Sequence, residues 1–371
     1  MLKSRVLNKL QKLGQSVWYD NISRELLESG GLKDIISSGV RGLTSNPSIF
    51  QKAISGSSIY DSDIEVQAGQ GRSNVEIFES LAIDDIRAAA DTLHDVYVSS
   101  KGADGFASLE VNPHLADDTI KTVKEARRLF ASVNKPNLMI KVPATQAGIP
   151  AIKTLISEGI NVNVTLIFST NTYEEVREAY ISGLESRSNA GEDISNISSV
   201  ASFFVSRVDS AIDDVVKSFG SGQQSLIGKS AIANAKVAYK DFQETFQAER
   251  FKVLKEKGAR VQRPLWASTS TKNPSFSDVL YVESLIGPET VTTMPDATLE
   301  AYTDHGQPEP TITRNVQEAY AQLDLIRSLG IDIDRKTDEL VVSGVKQFAD
   351  SFDDLIQNIS DKRNALLIRQ T

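Results

Sequence analysis

Short apolar segments that end in polar residues alternate along the chain with longer segments of helical periodicity. Eight short segments have the length and composition of strands, and they read SVWYD, GVRGLTSNP, GFASLEVN, NLMIKVP, GINVNVTLIFS, SVASFFVS, RPLWASTS and ETVTTMP. Because strands that alternate with helices form parallel βαβ units, this pattern predicts an α/β fold, a closed (β/α)₈ TIM barrel. We expect one domain over residues 1–371, with a barrel core over about residues 16–305 and C-terminal helices over about residues 312–371 packed on it.

The longer segments carry recognisable helix ends. Asn74 begins NVEIFESLAIDDIRAAADTLHDVY as a suitable N-cap, and Thr172 stands three residues before Glu175 in the capping-box arrangement. A left-handed C-cap is expected at the glycines that follow helical segments, Gly39, Gly159 and Gly258. The segment DELVVSGVKQFADSFDDLIQNI is also helical in pattern, and we expect it to pack against the outside of the barrel.

Polar and apolar residues alternate inside two of the predicted strands. In NVNVTLIF, Asn161, Asn163 and Thr165 share one face, while the valines, the leucine and the phenylalanine share the other. In FASLEVN the polar face carries Ser108, Glu110 and Asn112. In a barrel the apolar face meets the helices, so the polar face lies toward the axis, near the strand C-termini where active sites of this fold lie. A solvated antiparallel sheet has the same alternation, but the intervening helical segments argue against it.

Charge and composition exclude several classes of function. The chain has 371 residues and a net charge of −9, which disfavours nucleic acid and anionic membranes as partners, because both select a basic face. It has no cysteine, which excludes disulfides, thiolate metal sites and a cysteine nucleophile. The three histidines are far apart in sequence, so we expect no histidine-based metal site.

Nothing in the sequence predicts a membrane protein. No segment is apolar over the length that a membrane span needs. The first residues, MLKSRVLNKLQKLG, have the pattern of a short amphipathic helix and not of a signal peptide. We therefore expect a cytoplasmic protein.

One lysine stands inside an apolar segment. Lys141 lies in LMIKVPAT, where burial of an ammonium ion would be costly. One interpretation is that its stem covers apolar surface while its amine reaches water. The other follows from Pro143, which ends the strand and places Lys141 at the C-terminal rim, where partial desolvation favours a neutral, nucleophilic amine. Such an amine attacks a ketone to form an imine, which serves as an electron sink for breaking an adjacent C–C bond.

Asp20 and Glu110 are the candidate proton carriers, because each ends a predicted strand on the face toward the barrel axis. A helix N-cap or a structural ion pair is the alternative for each carboxylate. Apolar neighbours on both sides of Glu110 predict that it is buried. A metal site is a rival use of two carboxylates, but no histidine supports it.

Four motifs together resemble those of transaldolases, the class I Schiff-base enzymes of the pentose phosphate pathway: LTSNPS, LMIKVPAT, GINVNVTLIFS and WASTSTKNP. The resemblance extends from Asp20 to about Lys272, and the long C-terminal region is most similar to the longer bacterial form. It implies a transferase that moves a dihydroxyacetone unit from sedoheptulose 7-phosphate to glyceraldehyde 3-phosphate, which gives erythrose 4-phosphate and fructose 6-phosphate. It also implies sugar-phosphate substrates, no metal or organic cofactor, and a monomer or homodimer.

The resemblance implies a role for each matching residue. Lys141 corresponds to the imine-forming lysine, and Asp20 to the acid/base that acts during C–C cleavage. Glu110 and Thr165 correspond to the pair that positions a catalytic water. The implied substrate-binding residues are Asn46, Asn163, Ser202, Phe204, Arg207 and Lys272.

Two positions of this chain depart from the family that it resembles, and a third separates that family from related aldolases. Lys272, which with Arg207 is implied to hold the substrate phosphate, stands where many relatives have arginine, so that a point charge replaces a planar fork. Phe203 stands where relatives often have proline. Phe204 favours transaldolase over the related sugar-phosphate aldolases, which have a tyrosine there whose hydroxyl can orient water. A fructose-6-phosphate aldolase-like lyase and a sugar-phosphate-binding barrel without turnover are the alternative functions.

Overall fold

Eight parallel strands form a closed barrel in the computed structural model, which describes residues 2–368 and the side chains of residues 5–220 and 224–366. The strands are β1 (Gln15–Tyr19), β2 (Gly42–Thr44), β3 (Ala107–Glu110), β4 (Leu138–Pro143), β5 (Val162–Ile167), β6 (Ser199–Phe204), β7 (Arg263–Ala267) and β8 (Thr290–Met294). They follow one another around the barrel in chain order, and β8 pairs with β1 to close it. The predicted TIM barrel and the positions of its strands are therefore confirmed.

Helices supply the crossovers that parallel strands require. Those up to β4 are α1 (Leu2–Lys12), α2 (Arg24–Glu28), α3 (Gly31–Ser38), α4 (Pro47–Ser55), α5 (Asp61–Gly69), α6 (Asn74–Thr92), α7 (His94–Ser99) and α8 (Thr119–Val133). The later ones are α9 (Gly148–Ser157), α10 (Thr170–Asn189), α11 (Ser206–Ser218), α12 (Ser230–Gln247), α13 (Glu249–Glu256), α14 (Leu280–Ser284), α15 (Asp296–His305), α16 (Val316–Ser328) and α17 (Ile333–Ile368). Two 3₁₀ turns span Pro113–Leu115 and Ser221–Leu226. Within residues 2–368, no helix combines the length and apolarity needed to cross a membrane.

Two helix N-caps lie earlier than the sequence pattern predicts. Ser73 caps α6 through a capping box with Glu76, so the expected cap, Asn74, is the first helical residue. Ser169 caps α10 by accepting a hydrogen bond from the backbone N–H of Thr172, so the capping box predicted at Thr172 is wrong. The predicted C-cap glycines all have positive φ, at 122° for Gly39, 87° for Gly159 and 94° for Gly258.

The register of three neighbouring strands aligns three polar residues. Glu110 of β3 is the partner of Lys141 of β4, and Lys141 is the partner of Asn163 of β5. Paired residues of neighbouring strands point to the same side of a sheet, so these side chains form one row. Asp20 follows β1 directly, and its N–H donates to the carbonyl of Met294 at the end of β8 at 3.0 Å. The fold thus places the polar ends of several strands around one opening.

The last helix, α17, lies across the C-terminal end of the barrel, which corrects the expectation that it packs on the outside. It contacts α4, the turn Pro113–Leu115 and α11, which follow β2, β3 and β6 respectively. Its buried apolar residues recur at helical spacing and form one stripe: Phe348, Phe352, Leu355 and Ile359. The amphipathic pattern of this segment thus correctly predicts a packed helix, but the helix covers the mouth of the barrel.

Strand β5 departs from strict alternation at Leu166. This residue has φ of +58°, and the register between β5 and β6 shifts between Val164 and Ile167. A Cβ added to Gly344 of α17 would lie 2.9 Å from Leu166 Cδ2, so the two residues are packed against each other. The prediction that Leu166 shares the outward apolar face of the strand is thus wrong, because the irregularity turns its side chain toward α17.

Candidate active site

Lys141 lies near the C-terminal end of β4 and is only 4% exposed. Its Nζ atom lies 3.3 Å from Glu110 Oε2 and donates a hydrogen bond to the backbone carbonyl of Ser45 at 3.2 Å. The same nitrogen stands 5.4 Å from the centre of the Phe348 ring. The amine therefore does not reach bulk water, which contradicts the first interpretation of this lysine. Instead, its nitrogen lies close to a carboxylate.

Two carboxyl groups share the electrostatic environment of this amine. Burial raises the pKa of Glu110, the positive charge of Lys141 opposes that rise, and the negative charge of Asp20 adds to it. Burial likewise raises the pKa of Asp20, against the opposing charge of Lys141. A carboxyl group whose pKa is raised is a better proton carrier near neutral pH.

An open cleft of about 500 Å³ at the mouth of the barrel gives access to the amine. Its lining includes eight residues near the ends of β1, β2, β4, β5 and β6, namely Asp20, Thr44, Asn46, Lys141, Thr165, Ser202, Phe204 and Arg207, together with Phe348 from α17. The volume lies within the range of ordinary small-molecule sites. Seven of the ten site residues predicted from the sequence thus line one cleft: Asp20, Asn46, Lys141, Thr165, Ser202, Phe204 and Arg207.

The hydroxyl group of Thr165 is buried beside the cleft without a protein partner. Among the residues that the structure describes, no group forms a hydrogen bond with Thr165 Oγ1. An unsatisfied buried hydroxyl is uncommon, and a bound water or ligand atom is the usual reason for one. Thr165 is therefore placed to bind a group that enters the cleft.

Asn163 differs from the other predicted binding residues, because its amide is already satisfied by the protein. Its Oδ1 atom accepts a hydrogen bond from Ser202 Oγ at 2.7 Å, and its Nδ2 atom donates to Ser108 Oγ at 3.1 Å. Asn163 is fully buried. This chain of hydrogen bonds holds Ser202, which does line the cleft, in a defined orientation.

Asn46 combines a structural function with its position in the cleft. Its Oδ1 atom caps α4 by accepting a hydrogen bond from the N–H of Ile49 at 3.0 Å. The cap employs only the carbonyl oxygen, so the amide nitrogen is the group that a ligand would meet. This hydrogen bond thereby fixes the position of the Asn46 side chain at the start of α4.

Phe203 and Phe204 point to opposite sides of β6. The ring of Phe203 lies 6.0 Å from those of Tyr173 and Trp266, in the layer between barrel and helices. The ring of Phe204 lines the cleft and stands 5.4 Å from Cζ of Arg207. Phe203, which stands where relatives often have proline, therefore packs away from the cleft.

Arg207 and Lys272 differ in their positions. Arg207 lies in the first turn of α11, burial lowers its pKa, and among the described residues it has no ion pair. An uncompensated, partly buried guanidinium favours the approach of an anion such as a phosphate. Lys272 is exposed in the loop after β7 and does not line the cleft, so the structure does not bring this predicted pair together.

Sequence reasoning missed two residues that touch the amine. Ser45 accepts a hydrogen bond from Lys141 through its backbone carbonyl, and its hydroxyl donates to the carbonyl of Ser108 at 2.7 Å. Phe348 stands over the amine from a helix far away in sequence. A backbone contact leaves no sequence signal, and an apolar stripe does not say which surface it covers. Within the described residues, no group of three or more histidine, aspartate or glutamate side chains is arranged to hold a metal ion.

Comparison with known proteins agrees with this geometry. The model of the transaldolase/fructose-6-phosphate aldolase family matches residues 17–359. The chain is 46% identical to a transaldolase of Trichodesmium erythraeum over 96% of this chain and 97% of the relative. It is 47% identical to a transaldolase of Parafrankia sp. over 97% and 98% of the two chains, and 46% identical to a transaldolase of Mycobacterium tuberculosis over 95% of each. The chain therefore belongs to the transaldolase/fructose-6-phosphate aldolase family.

Proposed function

We propose that the chain is a transaldolase, which transfers a dihydroxyacetone unit from sedoheptulose 7-phosphate to glyceraldehyde 3-phosphate in the non-oxidative pentose phosphate pathway. The observation that carries this proposal is the buried amine of Lys141, 3.3 Å from Glu110 and beside the cleft that Asp20 lines. The names of the relatives, which are nearly half identical to this chain over almost its full length, support the same activity.

In the first step, Lys141 attacks the C2 carbonyl of the ketose. Glu110 takes a proton from the ammonium ion, which frees the lone pair of the amine, and later returns it as water leaves the carbinolamine. A proton carrier must lie within reach of the group that it serves, and the 3.3 Å separation meets that condition. Thr165, whose hydroxyl has no partner among the described residues, binds the departing water.

In the second step, Asp20 takes the proton of the C4 hydroxyl, and the C3–C4 bond breaks. The electron pair of that bond moves into the iminium group, which forms an enamine on Lys141. The raised pKa of Asp20 suits a group that must accept a proton and later return it to the acceptor. The released aldose leaves, and a second aldehyde captures the enamine by the reverse sequence.

The remaining residues bind and orient the substrate. Arg207 holds the phosphate, because it is the cleft residue with an uncompensated positive charge. Asn46 and Ser202 bind hydroxyl groups of the three-carbon unit, with Ser202 oriented by Asn163. Lys272, which is exposed outside the cleft, contributes little to phosphate binding. No metal or organic cofactor takes part in the proposed reaction.

Borohydride trapping tests the proposal. The protein is incubated with fructose 6-phosphate and reduced, and peptide mass spectrometry then locates the adduct. We expect a dihydroxyacetone-sized adduct on Lys141 in the wild type and none in Lys141→Ala, while Lys272→Ala, a matched change at an exposed lysine, still forms it. A wild-type protein without an adduct would support a binding barrel without turnover instead.

A second assay separates transfer from net cleavage. Fructose 6-phosphate is supplied with and without erythrose 4-phosphate, and the products are quantified. A transaldolase forms sedoheptulose 7-phosphate only with the acceptor, whereas an aldolase-like lyase releases free dihydroxyacetone at a similar rate without it. Product release independent of the acceptor would refute the transaldolase assignment.

The proposal extends to the organisation and location of the protein. The barrel and the C-terminal helix act as one domain, because α17 supplies Phe348 to the wall of the cleft. Its proposed location is the cytoplasm, where phosphorylated sugars are produced and consumed. Its proposed oligomeric state is a monomer or a homodimer.

A further inference from the structure

The aromatic ring of Phe348 is part of the wall around the reactive amine. It lines the cleft together with Lys141 and Thr165, and its centre stands 5.4 Å from Lys141 Nζ. Phe348 is only 6% exposed, so it is packed and does not lie loosely at the surface. It is also the cleft residue that comes from the C-terminal helix and not from a strand end or the loop after one.

Several contacts hold this part of α17 over the mouth of the barrel. Ser351 accepts a hydrogen bond from Ser48 of α4 at 2.7 Å, and Asp353 Oδ1 lies within hydrogen-bond distance of His114 Nε2, at 2.7 Å. Further along the helix, Lys362 pairs with Asp61 at 2.6 Å. These contacts come from the segments after β2 and β3, and α17 also contacts α11, which follows β6 on another side of the opening, so the helix spans the mouth and holds the ring of Phe348 there.

Packing also connects the helix to the strand that carries Thr165. Gly344, one turn before Phe348, lies against the buried side chain of Leu166, the residue after Thr165. An added Cβ at Gly344 would approach Leu166 Cδ2 to 2.9 Å, so the Leu166 side chain would have to shift to admit one. The close approach of the helix brings the Phe348 ring within reach of the amine.

A covalent enamine on Lys141 has two fates. Its terminal carbon can attack an aldehyde, which forms a C–C bond and a product iminium ion that water then hydrolyses at C2 to complete transfer. Alternatively, that carbon takes a proton to give an iminium ion, water adds to C2, the C–N bond breaks and free dihydroxyacetone leaves. Both routes end in hydrolysis at C2, so they differ at the enamine carbon, which bonds to the aldehyde in transfer and takes a proton from water in net cleavage.

We propose that Phe348 is a specificity-determining residue that favours transfer over net cleavage, because its ring limits the water that can protonate the enamine carbon on the Lys141 side of the cleft. This inference depends on the proposed transaldolase function. A buried apolar ring excludes water through its volume, and it makes no hydrogen bond that could orient a water for attack. The residue thus acts on the partition of the intermediate and not on its formation.

The partition is measured as the rate of dihydroxyacetone release from fructose 6-phosphate alone, divided by the rate of transfer to erythrose 4-phosphate. We expect this ratio to rise about tenfold in Phe348→Ala, because the truncation opens space for water next to the enamine carbon. Phe348→Leu retains apolar volume without an aromatic face, and its ratio should stay within about twofold of the wild type.

Phe352 supplies a matched control on the same helix. It is also 6% exposed, but its ring packs on Phe78 and His114 and does not line the cleft. Phe352→Ala should therefore lose comparable packing energy and leave the ratio unchanged. Circular dichroism and borohydride trapping confirm in each variant that the fold and the imine are intact.

An unchanged ratio in Phe348→Ala, with normal trapping on Lys141, would overturn the proposal. A rise in Phe348→Leu as large as that in Phe348→Ala would also overturn it, because apolar volume would then not be what excludes water. If Phe348→Ala does not fold, Phe348→Val is judged by the same criteria. Failure of the proposed function is distinguishable, since it appears in the wild type as absent trapping and absent transfer.

Discussion

The buried carboxyl group of Asp209 allows a quantitative test of how burial sets stability in this fold. Asp209 lies on α11, two residues after Arg207, and is 1% exposed. Its two oxygens accept hydrogen bonds from the N–H of Ala231 at 2.7 Å and from the hydroxyl of Tyr281 at 2.8 Å. Asp209 therefore joins α11 to the start of α12 and to α14.

Burial raises the pKa of Asp209 from 3.8 to about 6, against the two hydrogen bonds and the positive charge of Lys229, which lower it. The negative charge of Asp213, which accepts a hydrogen bond from the N–H of Gly228 at 3.0 Å, adds to the rise. Between these two pKa values the folded protein binds more protons than the unfolded chain, so the free energy of unfolding falls as pH rises through this window. The ionised carboxylate reduces stability by about 3 kcal/mol once pH exceeds both values.

Asp209→Asn removes this ionisation while keeping the shape of the side chain. The amide oxygen can still accept from Ala231, and the amide nitrogen can donate to the Tyr281 oxygen. We expect the stability of the variant relative to the wild type to increase by about 2 kcal/mol between about pH 4.5 and pH 7.5. Urea denaturation followed by circular dichroism at several pH values measures this difference.

In the stability difference between variant and wild type, the contributions of the other buried carboxylates cancel, because these groups titrate in both proteins. Asp214, an exposed carboxylate on the same helix, supplies the control substitution Asp214→Asn, for which we expect no comparable increase with pH. A stability difference for Asp209→Asn that is constant across this range, or that shrinks as pH rises, would refute the assignment of a raised pKa to burial.

Four further substitutions test other parts of the structure. Arg207→Ala should raise KM for fructose 6-phosphate by at least about tenfold. Lys272→Ala should raise it by much less, because Lys272 is exposed outside the cleft. Equal losses of kcat/KM in the two variants, measured by steady-state kinetics, would contradict this expectation. Ser73→Ala should lower the free energy of unfolding by about 1 kcal/mol in urea denaturation, because the α6 capping box is lost. Gly344→Ala should lower it by about 1–3 kcal/mol, because the new methyl group meets a buried side chain; an unchanged Tm would show that α17 can move away.

Local patterns in the sequence were sufficient for the strands, for several helices and for the face on which the polar residues lie. Alternation along a strand is a local property, so Glu110 and Asn163 could be assigned to the barrel axis before their register was known, whereas Lys141 was placed at the rim by Pro143. The errors in the helix caps, at Ser73 and Ser169, are small because several polar residues near each helix start can act as a cap.

Only the tertiary structure decided which groups meet at the mouth of the barrel. In the folded barrel, the amide of Asn163 forms hydrogen bonds with two serines, Lys272 lies in an exposed loop, and Phe348 lies over Lys141. An apolar stripe on a helix specifies that the helix is packed, but it is compatible with any apolar surface of suitable shape. Contacts between segments that are distant in the chain depend on how the whole barrel closes, and no local periodicity records them.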